Sequence, residues 1–250
     1  WMHLAGNVDG DDLGYFFPKD AALQVLKEKR TGDWLSMGTT SGEETNSFAT
    51  FWFDHGAKPV TADYAYAVLP GKTADQTEEY AKNPDIESLA NTPSVHAVHK
   101  LSAGVTAVNF WTADGEAAGI TANQPASVTM RRSDGVVEIA VADPTQQGKT
   151  IEVAVPFLGG EVLEKSENIT VVHASPNIKI SVDTSGLMGA SSTIRFAYDA
   201  PDTKNVVYVT RPEAIQAAPG TPFKELVLPA TVSVLINDGQ RCDVPVSWSR

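Results

Sequence analysis

Short segments in which apolar and polar residues alternate recur along most of this chain. Clear examples are Val105–Trp111, Ala126–Arg131, Val136–Val141 and Ile151–Val155. A period of two residues is typical of a strand with one face in a core, and strands at intervals of roughly 8–15 residues are typical of sandwiches and barrels. The sequence therefore predicts an all-β fold made of antiparallel β-sandwiches.

Turn signals separate the alternating segments. Ser133-Asp134-Gly135 lies between two of them and predicts a β-hairpin, and Asn237-Asp238-Gly239 predicts another near the carboxyl end. Val60–Leu69 also alternates and ends at Pro70-Gly71, so we expect a strand there.

One segment favours a helix. Thr73–Lys82 begins with a residue that can cap a helix, carries acidic residues in its first turns and ends before Asn83-Pro84. A short second helical turn is expected over Asp85–Ala90. Because parallel strands are joined by helical crossovers, so little helix excludes a parallel α/β sheet.

Two changes in composition predict domain boundaries. Asn91-Thr92-Pro93 separates the helical segment from the next strands, and a looser stretch with prolines runs from Ala200 to Pro212. We therefore expect one unit over residues 1–92, a second over 93–200 and a third over 211–250.

Composition excludes several classes of protein. The chain has 250 residues and a formal net charge of −12, and an acidic surface does not suit phosphate binding, so no nucleic-acid partner is expected. No apolar run approaches the ~20 residues of a membrane span. Cys242 is the single cysteine, which excludes a disulfide scaffold.

The amino-terminal residues carry neither a basic region nor an apolar signal region. We expect the chain to be a segment of a longer polypeptide. The alternative is a mature secreted protein that has been trimmed at its signal site.

The sequence contains no recognisable catalytic or metal-binding motif. His96 and His99 are three residues apart on a predicted strand, where they face opposite sides and cannot share a metal. Asp9-Gly10-Asp11-Asp12 could hold a hard cation through oxygen atoms, but a solvated hairpin loop is favoured because the EF-hand spacing is missing. We predict no metal site and no cofactor.

Two segments are candidates for ligand contact. In Arg30–Trp34, a guanidinium beside a tryptophan suits a sugar carboxylate and a sugar ring. The alternative is an ion pair between Arg30 and Asp33 within a loop, with Trp34 in the core. The three aromatic residues Phe51–Phe53 predict a strand buried on both faces rather than a binding platform, with Asp54 and His55 serving the turn at Gly56.

Several of these segments together resemble polysaccharide lyase family 8, whose members cleave hyaluronan, chondroitin and xanthan. The resemblance rests on RTGDW, FATFWFDHG, the Tyr-Ala-Tyr strand that ends in Leu-Pro, the Asn-Pro-Asp-Ile turn and VHAVHKLSAGVTAVNFW, in that order, and covers roughly Gly14 to Tyr198. LPATVSVLINDGQRCDVPVSWS in the tail bears a weaker similarity to a bacterial immunoglobulin-like module.

The resemblance implies an architecture. Members of the family have a helical toroid, a large central β-sandwich and a smaller carboxyl-terminal β-sandwich. Residues 1–92 would be the end of the central sandwich, residues 93–200 the smaller sandwich, and residues 211–250 a partial immunoglobulin-like module or tail.

The resemblance also implies an activity. In the family, a tyrosine removes the C5 proton of a uronic acid, and an asparagine neutralises the sugar carboxylate with help from a histidine and an arginine. Those residues belong to the toroid, so no catalytic residue is assigned here and an upstream helical catalytic domain is the expected partner. Arg30 and Trp34 are the expected substrate contacts, while Tyr64 and Tyr66 are expected to be core residues.

The predicted function is therefore that of the carboxyl-terminal β portion of a secreted bacterial lyase that depolymerises an acidic polysaccharide by β-elimination. The sequence leaves open whether the polysaccharide is hyaluronan, chondroitin or xanthan. The alternative is a non-catalytic carbohydrate-binding or adhesin module with a β-sandwich fold.

Overall fold

The computed structural model describes residues 1–20, 22–198, 206–210, 212, 215, 217–218, 221–236 and 240–248, without the side chain of Val207. The chain forms two compact units, Trp1–Pro84 and Asp85–Arg250. This division falls earlier than the boundary after Thr92 that composition indicated. The predicted Asn237–Gly239 turn and the start of the Ala200–Pro212 stretch lie outside the described residues.

The elements of the first unit are β1 (Met2–Leu4), β2 (Leu13–Phe16), β3 (Leu23–Asp33), a 3₁₀ turn (Trp34–Ser36), β4 (Glu43–Phe53), β5 (Ala67–Pro70) and helix α1 (Ala74–Lys82). They form a three-stranded antiparallel sheet in the order β1-β2-β5 and a separate two-stranded ribbon, β3-β4.

The predicted helix is confirmed as α1. Thr73 caps it, because the Thr73 hydroxyl accepts a hydrogen bond from the Gln76 amide and the Gln76 side chain accepts one from the Thr73 amide. Thr77 is fully buried on the side of α1 that meets β2, where it lies against Gly14. No Cβ fits at Gly14 because the Thr77 side chain occupies that space.

Over the residues that the structure describes, the second unit contains fifteen strands. In chain order they are β6 (Ile86–Asn91), β7 (Val95–Lys100), β8 (Val105–Phe110), β9 (Gly115–Ala117), β10 (Ile120–Ala122), β11 (Ala126–Ser133), β12 (Val136–Ala142), β13 (Thr150–Val155), β14 (Val162–Lys165), β15 (Ile169–His173), β16 (Ile178–Asp183), β17 (Ser192–Ala197), β18 (Val206–Val209), β19 (Thr231–Ile236) and β20 (Arg241–Pro245), with 3₁₀ turns at Leu101–Ala103 and Phe223–Glu225.

These strands form three antiparallel sheets. A seven-stranded sheet has the order β14-β17-β12-β11-β8-β7-β6, a five-stranded sheet the order β15-β16-β13-β10-β9, and the tail contributes β18-β19-β20. The predicted hairpin is β11–β12, in which Asp134 and Gly135 have φ angles of 52° and 73°. Positive φ at both turn residues is the geometry of a two-residue hairpin that matches the twist of its strands.

One apolar core joins these sheets. Its members include Ile139 and Val128 from the seven-stranded sheet, Ile151 and Ile180 from the five-stranded sheet, and Leu235 from the tail. Alternation along β11, β12, β13 and β16 directs every second residue into this core. The predicted all-β sandwich fold is confirmed, and the tail sheet packs on the sandwich through Leu235.

Two local predictions are wrong. Asp85–Ala90 contains no helical turn, because Ile86–Asn91 pairs with β7 and forms the edge of the seven-stranded sheet. Val60–Leu69 is a strand only from Ala67, and Val60 is 97% exposed. Among the described residues, no helix combines the length and apolar character that crossing a membrane requires.

Candidate functional site

The first unit carries the two residues that sequence analysis singled out, Arg30 and Trp34, on and next to the ribbon β3-β4. Its strands pair without a register shift from Leu23–Phe53 to Asp33–Glu43. Directly opposed residues share a face, and successive residues alternate between faces. One face, here called the outer face, carries Leu26, Glu28, Arg30, Phe48, Thr50 and Trp52.

The opposite face of the ribbon packs on the first unit through Phe51 and Phe53, while Val25 on the same face is 56% exposed. The Phe51 ring lies 5.7 Å from the Tyr15 ring, and the Phe53 ring lies 5.9 Å from that of Phe17. These contacts use one face of the ribbon and leave the outer face without such packing among the described residues. Leu26, Phe48 and Trp52 on the outer face are 42%, 44% and 43% exposed. The prediction that Phe51–Phe53 is buried on both faces is therefore wrong.

Arg30 lies on the outer face and is held by three neighbours. Its Nε and Nη2 lie 2.7 Å and 2.6 Å from Oε1 of Glu28, and its Nη2 donates to the Thr50 hydroxyl at 3.1 Å. Its guanidinium carbon lies 5.3 Å from the centre of the Phe48 ring, within the range of a cation–π contact. The alternative ion pair with Asp33 is not formed.

Asp33 instead organises the tip of the ribbon. Its carboxylate accepts hydrogen bonds from the amides of Leu35 at 2.8 Å and Gly42 at 3.0 Å, and the Ser41 hydroxyl lies 3.4 Å away. The amides of Leu35 and Gly42 hold the pKa of Asp33 below its usual value. The turn is thus built on Asp33, which directly precedes Trp34.

Trp34 begins the 3₁₀ turn and is 56% exposed, so the alternative of a core tryptophan is wrong. Its amide donates to the Gly42 carbonyl, and its ring borders Gly42. Three residues of strand lie between Arg30 and Trp34, so the two are four positions apart, or about 13 Å along the ribbon. The structure does not bring the two predicted substrate contacts together.

An aromatic cluster extends from the ribbon's other face. The rings of Phe53 and Tyr64 are 5.2 Å apart, those of Tyr64 and Tyr66 are 6.3 Å apart, and His55 lies beside Phe53 and Tyr64. Tyr64 and Tyr66 are 59% and 51% exposed. The prediction that they are core residues is therefore wrong.

Asp54 serves the turn at Gly56, as predicted. Its carboxylate accepts a hydrogen bond from the Gly56 amide at 2.8 Å, and Gly56 has a positive φ of 72°. Because this conformation favours glycine, Asp54 and Gly56 together fix where the chain leaves β4.

The acidic segment Asp9–Asp12 lies in the loop of the β1–β2 hairpin, as predicted. Asp12 accepts from the Gly6 amide at 2.9 Å and lies 3.1 Å from Nε2 of His3. In the part of the chain that the structure describes, no three His, Cys, Asp or Glu side chains meet in a group that could hold a metal ion.

The partners of Arg30 could not be predicted from the sequence. Glu28, Phe48 and Thr50 surround the guanidinium, but Phe48 and Thr50 are about twenty positions away in the chain. Only Glu28 carried a local signal, since it is two residues from Arg30 and therefore on the same face of a strand. The others follow from the register of the hairpin, which the loop between the strands determines.

Comparison with known proteins places these units in one family. The model described as "Polysaccharide lyase family 8, super-sandwich domain" matches residues 1–81, and "Polysaccharide lyase family 8, C-terminal beta-sandwich domain" matches residues 88–152. The two matches together cover more than half of the chain. The chain belongs to polysaccharide lyase family 8.

Relatives within family 8 are similar over most of this chain. A xanthan lyase from Bacillus sp. strain GL1 is 39% identical over 223 residues, which is 85% of this chain and 24% of the relative. A hyaluronate lyase from Thermasporomyces composti is 34% identical over 193 residues, 75% of this chain and 24% of the relative. The chain thus spans about a quarter of the length of these curated relatives.

Solved structures of family 8 enzymes share the fold. A Paenibacillus xanthan lyase superposes with a TM-score of 0.75 and 30% identity over 94% of this chain and 25% of its own chain. A chondroitin AC lyase from Streptomyces coelicolor A3 superposes with a TM-score of 0.69 and 29% identity over 79% of this chain and 27% of its own. The similarity to a bacterial immunoglobulin-like module that we noted in the tail stays a prediction.

Proposed function

We propose that this chain is the carboxyl-terminal β portion of a secreted bacterial lyase that depolymerises an acidic polysaccharide by β-elimination. The observation that carries the proposal is the order of the two family matches, super-sandwich followed by carboxyl-terminal sandwich, on units with the corresponding sheets. The relatives are a xanthan lyase, a hyaluronate lyase and a chondroitinase AC.

The reaction needs groups that this proposal places outside the chain. In β-elimination a base removes the C5 proton of a uronate, the C4–O bond breaks, and the departing oxygen takes up a proton, which leaves a C4–C5 double bond. The C5 proton is weakly acidic, so placed donors must stabilise the negative charge that develops on the carboxylate. We propose that an upstream helical domain supplies the base and these donors.

This chain would contribute structure and substrate contact. We propose that Arg30 binds a sugar carboxylate, because a guanidinium donates several hydrogen bonds in a plane that matches a carboxylate. Trp34 is proposed as a second contact at the tip of the ribbon, where its ring is exposed. The net charge of −12 keeps the remaining surface unattractive to a polyanion, which favours binding at a few defined cations.

One observation favours a second function, that of a non-catalytic carbohydrate-binding module. The exposed rings of Tyr64 and Tyr66 stack on each other, and Tyr64 also stacks on the half-buried ring of Phe53, which offers an apolar surface of the kind that sugar rings cover. A binding module would retain polysaccharide whether or not a catalytic domain is joined to it.

An elimination assay separates the two functions. The 250-residue chain and a polypeptide that joins it to a family 8 helical domain would each be mixed with hyaluronan, chondroitin and xanthan, and ultraviolet absorbance would report the unsaturated product. We expect activity from the joined polypeptide and none from the chain alone. Product from the chain alone would place the catalytic groups within these residues.

The alternative function predicts a different result. A joined polypeptide that is folded and retains the polysaccharides but releases no unsaturated product from any of them would favour the binding module. A matched control joins the same helical domain to a chain that carries Arg131→Gln, an exposed arginine of the second unit whose Nη2 lies 3.6 Å from Glu138.

A further inference from the structure

We propose that the outer face of the ribbon binds a uronate of the polysaccharide, and that the contact at the tip is secondary to it. In this proposal Arg30 binds the carboxylate, Glu28 and Phe48 are positioning residues for Arg30, and Trp52 supports the sugar ring. The proposal rests on the proposed function for the class of substrate, an acidic polysaccharide, but its residues follow from the geometry of the ribbon.

Arg30 is held in place although it is exposed. Its side chain is 50% exposed, yet Nε and Nη2 are both engaged by Glu28, and Nη2 also reaches Thr50. The arginines on the seven-stranded sheet pair more loosely, since Arg131 and Arg195 lie 3.4–3.6 Å from their glutamate partners. A long side chain that is already ordered loses less entropy when it binds a ligand.

Part of the Arg30 guanidinium remains available for a ligand. The described contacts of Arg30 use Nε and Nη2, whereas those contacts leave both N–H groups of Nη1 for a ligand. A carboxylate oxygen accepts such hydrogen bonds at distances of about 2.7–2.9 Å. Glu28 therefore orders the guanidinium without occupying its whole donor set.

Exposed apolar side chains lie near Arg30 on the same face of the ribbon. Phe48 faces Glu28 directly across the ribbon, and Thr50 faces Leu26. Trp52 lies two residues beyond Thr50 on the same face, and Leu26, Phe48 and Trp52 are each more than 40% exposed. A row of exposed apolar side chains that ends at a fixed cation matches a sugar that presents C–H groups on one face and a carboxylate at its edge.

Charge indicates what occupies this face. An apolar protein segment would cover Leu26, Phe48 and Trp52 but would bury the Arg30–Glu28 pair, and removing such charges from water is costly. A uronate-bearing polysaccharide instead adds a carboxylate to the cation and leaves the site wet. We therefore assign the face to the polysaccharide and not to a second protein surface.

Binding to the 250-residue chain tests the proposal without elimination activity. Hyaluronan oligosaccharides and the same oligosaccharides with their carboxylates reduced to alcohols would be titrated by calorimetry. We expect Arg30→Gln to weaken binding of the native oligosaccharide about tenfold, the loss of roughly 1.4 kcal/mol, and to leave the reduced one unchanged. Trp52→Ala should weaken both ligands, whereas Arg131→Gln should weaken neither.

The positioning residues have their own readout. Phe48→Leu should weaken binding of the native oligosaccharide only. Phe48→Tyr keeps the ring under the guanidinium and should therefore bind the native oligosaccharide as the unmodified chain does. Arg30→Lys keeps the charge but cannot engage Glu28 through two nitrogens, so it should weaken binding nearly as much as Arg30→Gln. Circular dichroism would show that each variant keeps its strands.

Several outcomes would overturn the proposal. These are equal binding of native and reduced oligosaccharides, a larger loss with Trp34→Ala than with Trp52→Ala, no binding by the unmodified chain, or dimerisation that Trp52→Ala abolishes. The outcome of the elimination assay does not depend on this binding test. If no unsaturated product forms but binding is intact and depends on Arg30, the lyase function is rejected and the proposed binding surface stands.

Discussion

At the scale of single residues, one histidine of the sandwich is affected by a charge of the tail. His99 on β7 is half-buried, its Nδ1 lies 2.9 Å from the Thr106 hydroxyl, and it faces Glu87 across the β6–β7 pair. Burial and the positive charge of Arg241 on β20 hold the pKa of His99 below its usual value, while Asp85 acts in the opposite direction. Arg241 itself donates to Thr210 in the tail.

This arrangement predicts how stability depends on pH. Because the pKa of His99 is lower in the folded protein than in the unfolded chain, the unfolded chain binds the proton more readily below about pH 6.5. Stability should therefore be complete above that pH and fall as the pH drops toward the folded pKa. His99→Gln should flatten this decline, which lies below about pH 6.5.

Urea unfolding at several pH values measures the effect. His96→Gln is the matched control, since His96 lies on the same strand with an exposed side chain. A decline in stability that is as steep in His99→Gln as in the unmodified chain would contradict the prediction.

At the scale of elements, the helix was predictable and the ribbon was only partly so. The cap at Thr73, the acidic first turn and the asparagine–proline end are local signals, so α1 was found within one residue of its observed start. Ile86–Asn91 was mistaken for a helical turn because its strand character comes from pairing with β7. The exposure of Tyr64, Tyr66 and Trp34 depends on packing that alternation does not reveal.

The contact of α1 with β2 gives a prediction at this scale. Gly14→Ala would place a methyl group in the space of the Thr77 side chain, and such overpacking costs about 1–3 kcal/mol. Thermal unfolding of the first unit should shift downward, and adding Thr77→Ala should recover part of the loss. Gly32→Ala is the control, because a Cβ at Gly32 meets no atom within 4 Å. Equal effects at Gly14 and Gly32 would contradict the close contact.

At the scale of the whole molecule, the two units differ in their cores. The hydrophobic cluster begins at Ala97 and lies entirely within Asp85–Arg250. In Trp1–Pro84, Gly14 and Thr77 are the buried positions among the described residues. Apolar area removed from water is the main source of folding free energy, so the second unit has far more of it.

The difference predicts the behaviour of fragments. Residues 85–250 alone should unfold cooperatively in urea, whereas residues 1–84 alone should show no sharp transition.

Within 85–250, Leu235→Ala should lower the stability of the sandwich by about 2–4 kcal/mol, because Leu235 joins the tail sheet to the common core. Val227→Ala is the control, since Val227 is 89% exposed. If Leu235→Ala instead left the unfolding transition of the sandwich unchanged and the tail unfolded in a separate transition, the tail would be an independent terminal module.

The sequence alone determined the all-β class, the helix α1 and the hairpin at Asp134-Gly135, because alternation, caps and turn residues act over a few positions. The order of its motifs also gave the resemblance to the family. The tertiary structure decided which face of the ribbon is open, what holds Arg30 and where the tail packs. Glu28, Phe48 and Thr50 meet Arg30 only when two strands pair in one register. Register and burial depend on contacts between distant residues, which no local pattern records.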